Sequence, residues 1–426
     1  MKQCERNLAL PFRVGGLYDA VVSISHSAPV ILQFNHPMSA SSAWLADELH
    51  DWAAQGLLRR CRSVRPMADG WCEVDGRRVL NFASNDYLNL AGDPRVVAAA
   101  AEALSAAGVG ARASPLVCGR TTWHEQLEQR LADFEGQPAA LLFPTGMAAN
   151  VGTVAALAGP GDVVFCDRLN HASLVDGSQL SGARLRVYQH RDLAVLEREL
   201  GKAADARRRW IVTDGVFSMD GDLAPLPDLC DLADRFEAAL IVDEAHGTGV
   251  FGARGRGAAE CLDVEQRITV RVGTLSKAIG TLGGFVAGSQ DLIDYLWNHA
   301  RTQIYSTALP PSICAAAVAA IDIITSEPWR RERLFAASAL FRDQLRAAGV
   351  EFLSDSVGPI VPITLTDPEA AIRASDQLEQ LGFLVGAIRP PTVPRGTSRL
   401  RIVVTTAHTD DDLQRLSVGI GRAIAR

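Results

Sequence analysis

Ala239-Leu-Ile-Val-Asp243-Glu-Ala-His246-Gly247 is the stretch whose reading decides the fold. An unbroken apolar run without polar alternation suits a strand buried on both faces, as in a parallel sheet covered by helices. The run ends in an aspartate, and open α/β sheets place ligands beyond the carboxyl ends of their strands. Working outward, further strand candidates, mostly apolar, recur at 140–143, 163–165, 186–188, 210–213, 268–272 and 284–287. Helical patterns at 94–107 and 124–134 precede these runs, and one at 226–236 lies between them. This alternation predicts an α/β domain with a mainly parallel sheet.

A second rhythm starts near 328: helix 329–348, strand 360–364, helix 368–381, strands 383–388 and 399–404, and helix 409–425. It predicts a smaller α+β C-terminal domain over 328–426, after a large domain over 85–327 and an N-terminal segment over 38–84. Residues 1–37 read as an N-terminal extension, since their short apolar pieces are broken by His26, Pro29 and His36. Met38 follows, then a capped helix start at Ser39. No run in the extension is long enough for a signal sequence or a membrane helix.

The chain has 426 residues, 48% hydrophobic and 21% charged, with a net charge of −7. That length allows two or three domains, and that charge offers no basic field for nucleic acid or an acidic membrane. The eight cysteines are scattered singly, without a C-x-x-C pair, so free thiols in a reducing cytoplasm are expected and no metal site is. Of the 42 basic residues only Lys2, Lys202 and Lys277 are lysines. A lysine kept where arginine is otherwise used suits chemistry that requires losing a proton, which a guanidinium does not do.

Lys277 sits in Thr269-Val-Arg-Val-Gly-Thr274-Leu-Ser-Lys277-Ala-Ile-Gly, a strand running into small residues and a glycine-rich exit. An amine at a strand end, beside room for a planar ligand, suits covalent bonding to an aldehyde; the alternative is a solvated loop lysine. Asp243 is the partner that a pyridinium nitrogen requires, and His246 is placed to bond a phenolic oxygen on the same ring; otherwise the pair is a helix cap with a structural histidine. Thr145-Gly146-Met147 follows strand 140–143 and opens an alanine-rich helix, whose first amides can face a phosphate. His171, in a polar loop after strand 163–165, can stack on a ring or simply cap a helix. Gly247-Thr-Gly249-Val-Phe-Gly252 matches G-x-G-x-x-G, but Ala-Arg-Gly-Arg-Gly follows it. That is a poor helix start, so a dinucleotide site is not expected.

Taken in order, Asn85-Asp-Tyr-Leu, Thr145-Gly146, Asn170-His171-Ala-Ser, Asp214-Gly-Val-Phe-Ser218-Met-Asp-Gly-Asp, Asp243-Glu-Ala-His246-Gly and Thr274-Leu-Ser-Lys277 resemble the α-oxoamine synthases. These are fold-type I transferases that use pyridoxal 5′-phosphate, and the resemblance runs from about residue 45 to the C-terminus. Gly386-Ala-Ile-Arg389-Pro-Pro-Thr-Val-Pro resembles their biotin-pathway branch.

The resemblance implies that Lys277 bonds the cofactor, Asp243 pairs with its ring nitrogen and His171 stacks on the ring. Ser218, His246 and Thr274 would be polar contacts to the cofactor. Thr145, Gly146 and Met147 would hold its phosphate, with Thr307 reaching in from the partner subunit of a homodimer. Arg401 would take the amino-acid carboxylate, with Asn85 on the substrate side and Arg59 near the acyl group. The implied substrates are L-alanine and a pimeloyl thioester, carried by coenzyme A or by an acyl carrier protein. Glycine C-acetyltransferase, 5-aminolevulinate synthase and an inactive structural subunit are the competing readings. Two positions depart from the family pattern: Met147 replaces an aromatic residue, and Arg112 lies in a normally glycine-rich loop.

Overall fold

The computed structural model describes residues 42–425. The expected extension 1–37 and the helix start at Ser39 lie outside the described residues. Helix Ala43–Ala54 belongs to a first unit ending at Ala54, and the remainder forms a second unit, Gln55–Arg426.

The second unit is built on a seven-stranded sheet. Its order is Ala139–Phe143, Gly284–Gly288, Val270–Thr274, Ala238–Asp243, Arg209–Asp214, Val163–Asp167 and Arg184–Tyr188. Strands from Val270–Thr274 to Arg184–Tyr188 are mutually parallel, while Gly284–Gly288 is antiparallel to both its neighbours. In the central strands successive side chains enter different cores, while the edge strand Arg184–Tyr188 leaves Arg184, Arg186 and Val187 exposed. Leu142, Ile211, Leu240 and Val242 pack with helices Thr122–Glu135, Leu226–Arg235 and Pro311–Ser326. Leu141, Phe143, Val164, Val212 and Ile241 pack on the other face with Gly146–Leu157 and Gln290–His299. Burial on both faces explains why the runs are continuously apolar; each fully buried aliphatic side chain stabilises the fold by roughly 1.5–3 kcal/mol.

The C-terminal layer holds an antiparallel sheet of Ile360–Thr366, Ser398–Val403 and Gly386–Ile388. Helices Trp329–Ala347, Pro368–Gln380 and Asp410–Ile424 share its core. The strand expected over 383–388 is divided at Val385. Phe383–Leu384 instead runs parallel to Arg77–Asn81, in a sheet with Val64–Pro66 and Trp71–Val74. Leu80 and Phe82 accordingly lie in the same core as Leu400 and Leu413, so residues 64–82 pack with the C-terminal layer.

The glycines of the G-x-G-x-x-G match serve local packing. Gly249 and Gly252 have φ of 81° and 88°, the left-handed region that favours glycine. A Cβ on Gly249 would meet the Ala278 side chain at 2.7 Å, and one on Gly252 would strike Glu260. The seven described cysteines beyond Cys4 are free thiols. Among the described residues no single helix is long and apolar enough to cross a membrane.

Candidate active site

Four neighbouring parallel strands end, along one edge, in Asp167, Asp214, Asp243 and Thr274. Asp214 and Asp243 are register partners. A cavity of about 200 Å³ opens at this edge. Lys277, Asp243, His171 and His246 line it, together with Thr145, Gly146, Met147, Ser218 and Thr274. One cavity thus gathers every residue expected to touch a cofactor except Thr307.

Lys277 follows strand Val270–Thr274 across a turn tied by the Thr274 hydroxyl donating to the Gly283 carbonyl (2.9 Å) and the Gly280 amide donating to Lys277 O (2.8 Å). Burial pushes the Lys277 amine down to about 8, and nearby Arg401 adds to this, against the pull of Asp243 and Asp214. A buried amine in that range is part free base near neutral pH. Asp243 accepts from the Ala245 amide on Oδ1 (2.7 Å) and from the Asn150 side-chain amide on Oδ2. Asp214 accepts from the His171 backbone amide (3.2 Å). Burial and the neighbouring Asp243 push the Asp214 carboxyl well above the usual carboxylate range.

Helix Gly146–Leu157 starts at the cavity wall because Thr145 caps it, accepting from Ala148 N (3.0 Å). The amides of Gly146 and Met147 come before the first intrahelical bond and stand at the cavity, an arrangement suited to an anion. Gly146 leaves little room for a side chain, since a Cβ would approach the Thr274 hydroxyl to 3.1 Å.

His171 is the N-cap of helix Ala172–Leu180, its Nδ1 accepting from Ser173 N (3.3 Å). The capping role and the place in the cavity, alternatives in the sequence, coexist. Burial lowers its pKa, with Lys277 adding to the effect. The His246 Nδ1 lies 2.6 Å from the Tyr87 hydroxyl, and burial holds this ring well below the ordinary histidine range, hence neutral.

Arg401 is 7% exposed. It donates from Nε to Ser218 O (2.6 Å) and from Nη1 to Asn85 Oδ1 (3.1 Å), while Nη2 has no partner among the described residues. Arg399, on the same strand face, donates to Asp220 and to Met219 O, so its charge is already matched. Arg59 lies in a second cavity of about 620 Å³, where it donates to Thr392 Oγ1 (3.2 Å). His171 and Ser218 line both cavities. Thr307 is exposed and lies in a separate cavity with Phe143 and Leu309. Met147 is 53% exposed. Arg112 has φ of 70° and donates to Ala107 O (2.8 Å).

Asn150, Ser173, Asp214 and Tyr87 belong to this constellation and have no role in the sequence reading. Tyr87, Ser173 and Asp214 lie inside the motifs that carry the resemblance, and Asp214 is also a second aspartate ending a parallel strand. The donor set fits pyridoxal 5′-phosphate: unpaired helix amides for a phosphate, a suppressed amine for an aldehyde, and a carboxylate for a protonated ring nitrogen.

Comparison with known proteins gives the family. Residues 77–420 match the family model "Aminotransferase class I and II". The 8-amino-7-oxononanoate synthase of Methylococcus capsulatus is 48% identical over 380 residues, covering 89% of this chain and 98% of its own. That of Nitrosococcus oceani is 48% identical over 370 residues, covering 87% and 98%. Among solved structures, the serine palmitoyltransferase of S. paucimobilis with bound PLP–myriocin superposes with a TM-score of 0.86 at 31% identity, covering 91% of this chain and 98% of that one. The 8-amino-7-oxononanoate synthase of Francisella tularensis superposes with a TM-score of 0.71 at 31% identity, covering 82% and 98%. The chain belongs to the class I and II aminotransferase family, in the α-oxoamine synthase branch that contains the 8-amino-7-oxononanoate synthases.

Proposed function

We propose that the chain catalyses the decarboxylative condensation of L-alanine with a pimeloyl thioester, giving 8-amino-7-oxononanoate, CO₂ and the free thiol, as a step of biotin biosynthesis. The observation that carries this reading is the single cavity joining Lys277, Asp243, His171 and His246, in a chain 48% identical to synthases of that name. Pyridoxal 5′-phosphate, when bound, supplies an electron sink for the negative charge developed at the amino-acid Cα.

The residues divide the remaining work. Lys277, with its amine near 8, takes the Cα proton. Asp243 keeps the ring nitrogen protonated, and the amides it already accepts hold its carboxylate in place. His171 stacks on the ring, and neutral His246 offers its free nitrogen to the phenolic oxygen. Thr145, Gly146 and Met147 hold the phosphate, with Ser218 and Thr274 as further polar contacts. Thr307, outside the cavity of its own chain, contributes to the partner's site in a homodimer. The unpaired Nη2 of Arg401 takes the alanine carboxylate beside Asn85. The second cavity, with Arg59 on its wall, receives the acyl chain. The alanine Cα bonds to the thioester carbonyl carbon, the thiol leaves, the carboxylate departs as CO₂, and Cα is reprotonated. The place of action is the cytoplasm.

The test pairs alanine or glycine with pimeloyl or acetyl groups, each on coenzyme A and on acyl carrier protein, and identifies products by mass. Alanine with pimeloyl donors should give 8-amino-7-oxononanoate. A preference for glycine with acetyl-coenzyme A would reassign the chain to glycine C-acetyltransferase chemistry.

A further inference from the structure

Two side chains that the catalytic scheme leaves aside connect Asp243 to His171. Asn150 is 2% exposed, on the first turns of helix Gly146–Leu157, and its Nδ2 reaches both Asp243 Oδ2 and Ser173 Oγ, the latter at 2.9 Å. Ser173 is fully buried, and its Oγ lies 2.7 Å from His171 Nδ1. Helices Gly146–Leu157 and Ala172–Leu180 carry these groups, and both start at the carboxyl edge of the sheet.

The direction of each bond follows from its neighbour. A carboxylate only accepts, so the Asn150 group facing Asp243 is the NH₂. The flipped amide would set its oxygen against a carboxylate oxygen. Asn150 Oδ1 has no partner among the described residues, so no group on that side favours the flipped amide. An NH₂ has two hydrogens; one goes to Asp243 and the other to Ser173 Oγ. With Oγ accepting from Asn150, the serine hydroxyl hydrogen is free to point to His171 Nδ1, which also accepts from the Ser173 amide (3.3 Å). A nitrogen accepting two such bonds carries no proton, so in the neutral ring the proton sits on Nε2.

We infer that Asn150 and Ser173 are positioning residues that relay the charge of Asp243 into a fixed tautomer of His171, with Nδ1 bare and Nε2 protonated. His171 then meets the substrates as a hydrogen-bond donor and is unavailable there as a base. The carboxylate that serves the ring nitrogen also sets, through three hydrogen bonds, the proton on the histidine across the same cavity. This assignment of roles rests on the function proposed above, while the tautomer itself depends only on the protein's own groups.

The experiment is two-bond ¹H–¹⁵N correlation spectroscopy on cofactor-loaded enzyme labelled with ¹⁵N-histidine, His171 being assigned by its loss in His171→Asn. The wild type should show the Nε2–H pattern. Ser173→Ala removes the hydroxyl donor and should bring in the Nδ1–H form. Ser173→Thr retains a hydroxyl and should restore the original pattern. Asn150→Ala frees the serine hydroxyl to accept from the ring, so it should also populate Nδ1–H. A wild-type spectrum with the proton on Nδ1 overturns the inference even if no variant folds, and so does an unchanged Nε2–H pattern in both alanine variants. No substrate is present in these measurements. An unexpected condensation product would therefore leave the relay standing, and an Nδ1–H signal would leave the proposed reaction standing.

Discussion

Arg401→Lys separates the charge of the proposed carboxylate clamp from its shape. Arg401 sits mid-strand, its backbone flanked by Pro362 on one side and Gly386 on the other, so its side chain starts from a rigid base. The guanidinium spends Nε on Ser218 O and Nη1 on Asn85 Oδ1, leaving Nη2 for a ligand. Lysine keeps the charge and loses this division of labour, because one ammonium cannot span three partners held in a fork. The lost charged hydrogen bond is worth about 1.5–3 kcal/mol, which is roughly a ten- to 150-fold rise in the alanine dissociation constant. That constant is read from the absorbance change of the bound cofactor on titration with alanine. Cofactor affinity should change little. Thermal stability should fall as well, since a buried acceptor on Ser218 or Asn85 loses its donor, at a cost of about 1–3 kcal/mol. Arg399→Lys is the control, because that guanidinium is already committed to Asp220 and Met219 O. Normal alanine binding in Arg401→Lys with weakened binding in Arg399→Lys would refute the reasoning and exchange the two roles.

Three other outcomes are expected. Lys277→Arg should abolish turnover, and borohydride should fix the cofactor to the Lys277 peptide of the wild type alone; a reduced adduct on Lys202, an exposed lysine paired with Glu199 at 2.7 Å, would count against the assignment. Asp243→Asn should still bind cofactor but slow deuterium exchange at the alanine Cα by several orders of magnitude, and near-normal exchange would mean that another group serves the ring nitrogen. His190 lies 3.0 Å from Asp167 and 2.9 Å from Asp222; burial opposes its charge, but the two carboxylates outweigh it and hold its pKa at about 9. This pKa is raised above the unfolded value of about 6.5, so the stability it contributes, up to roughly 3 kcal/mol, is complete below about pH 6.5 and lost as pH rises through about 9. His190→Gln should therefore flatten the fall in melting temperature between pH 7 and 10, and parallel profiles for the two proteins would exclude the linkage.

What could be read from the chain, and what could not, follows from the range of each interaction. The central strands are legible because burial on both faces writes itself as a continuous apolar run. Lys277 and Asp243 are legible because a residue just past such a run must lie at the sheet's carboxyl edge. Pairings between remote segments leave no such trace. Arg271 looks like a flaw in the apolar strand Val270–Thr274. In the fold it is 2% exposed and lies 3.2 Å from Glu135, whose carboxyl burial pushes up to about 8. Val385 looks like the middle of a single strand, yet the residues on its two sides belong to different sheets.

His171 shows why the two kinds of information need each other. As a local motif, a histidine before Ala-Ser-Leu could be a helix cap or a ring-stacking residue, and these read as rivals. They are compatible because the helix it caps begins at the edge where the strands deliver Asp214 and Asp243, so Nδ1 is used by the cap while the ring still lines the cavity. The cap is then part of the chemistry: the contact that starts the helix also occupies the nitrogen that would otherwise compete for the proton. Ser173, a fully buried residue in the first turn of that helix, carries this coupling, and its partner Asn150 lies on the helix that begins at the proposed phosphate site. On the proposed roles, the phosphate end, the ring-nitrogen end and the stacking face are thus tied through one asparagine, a residue that nothing in its own stretch of sequence marks out.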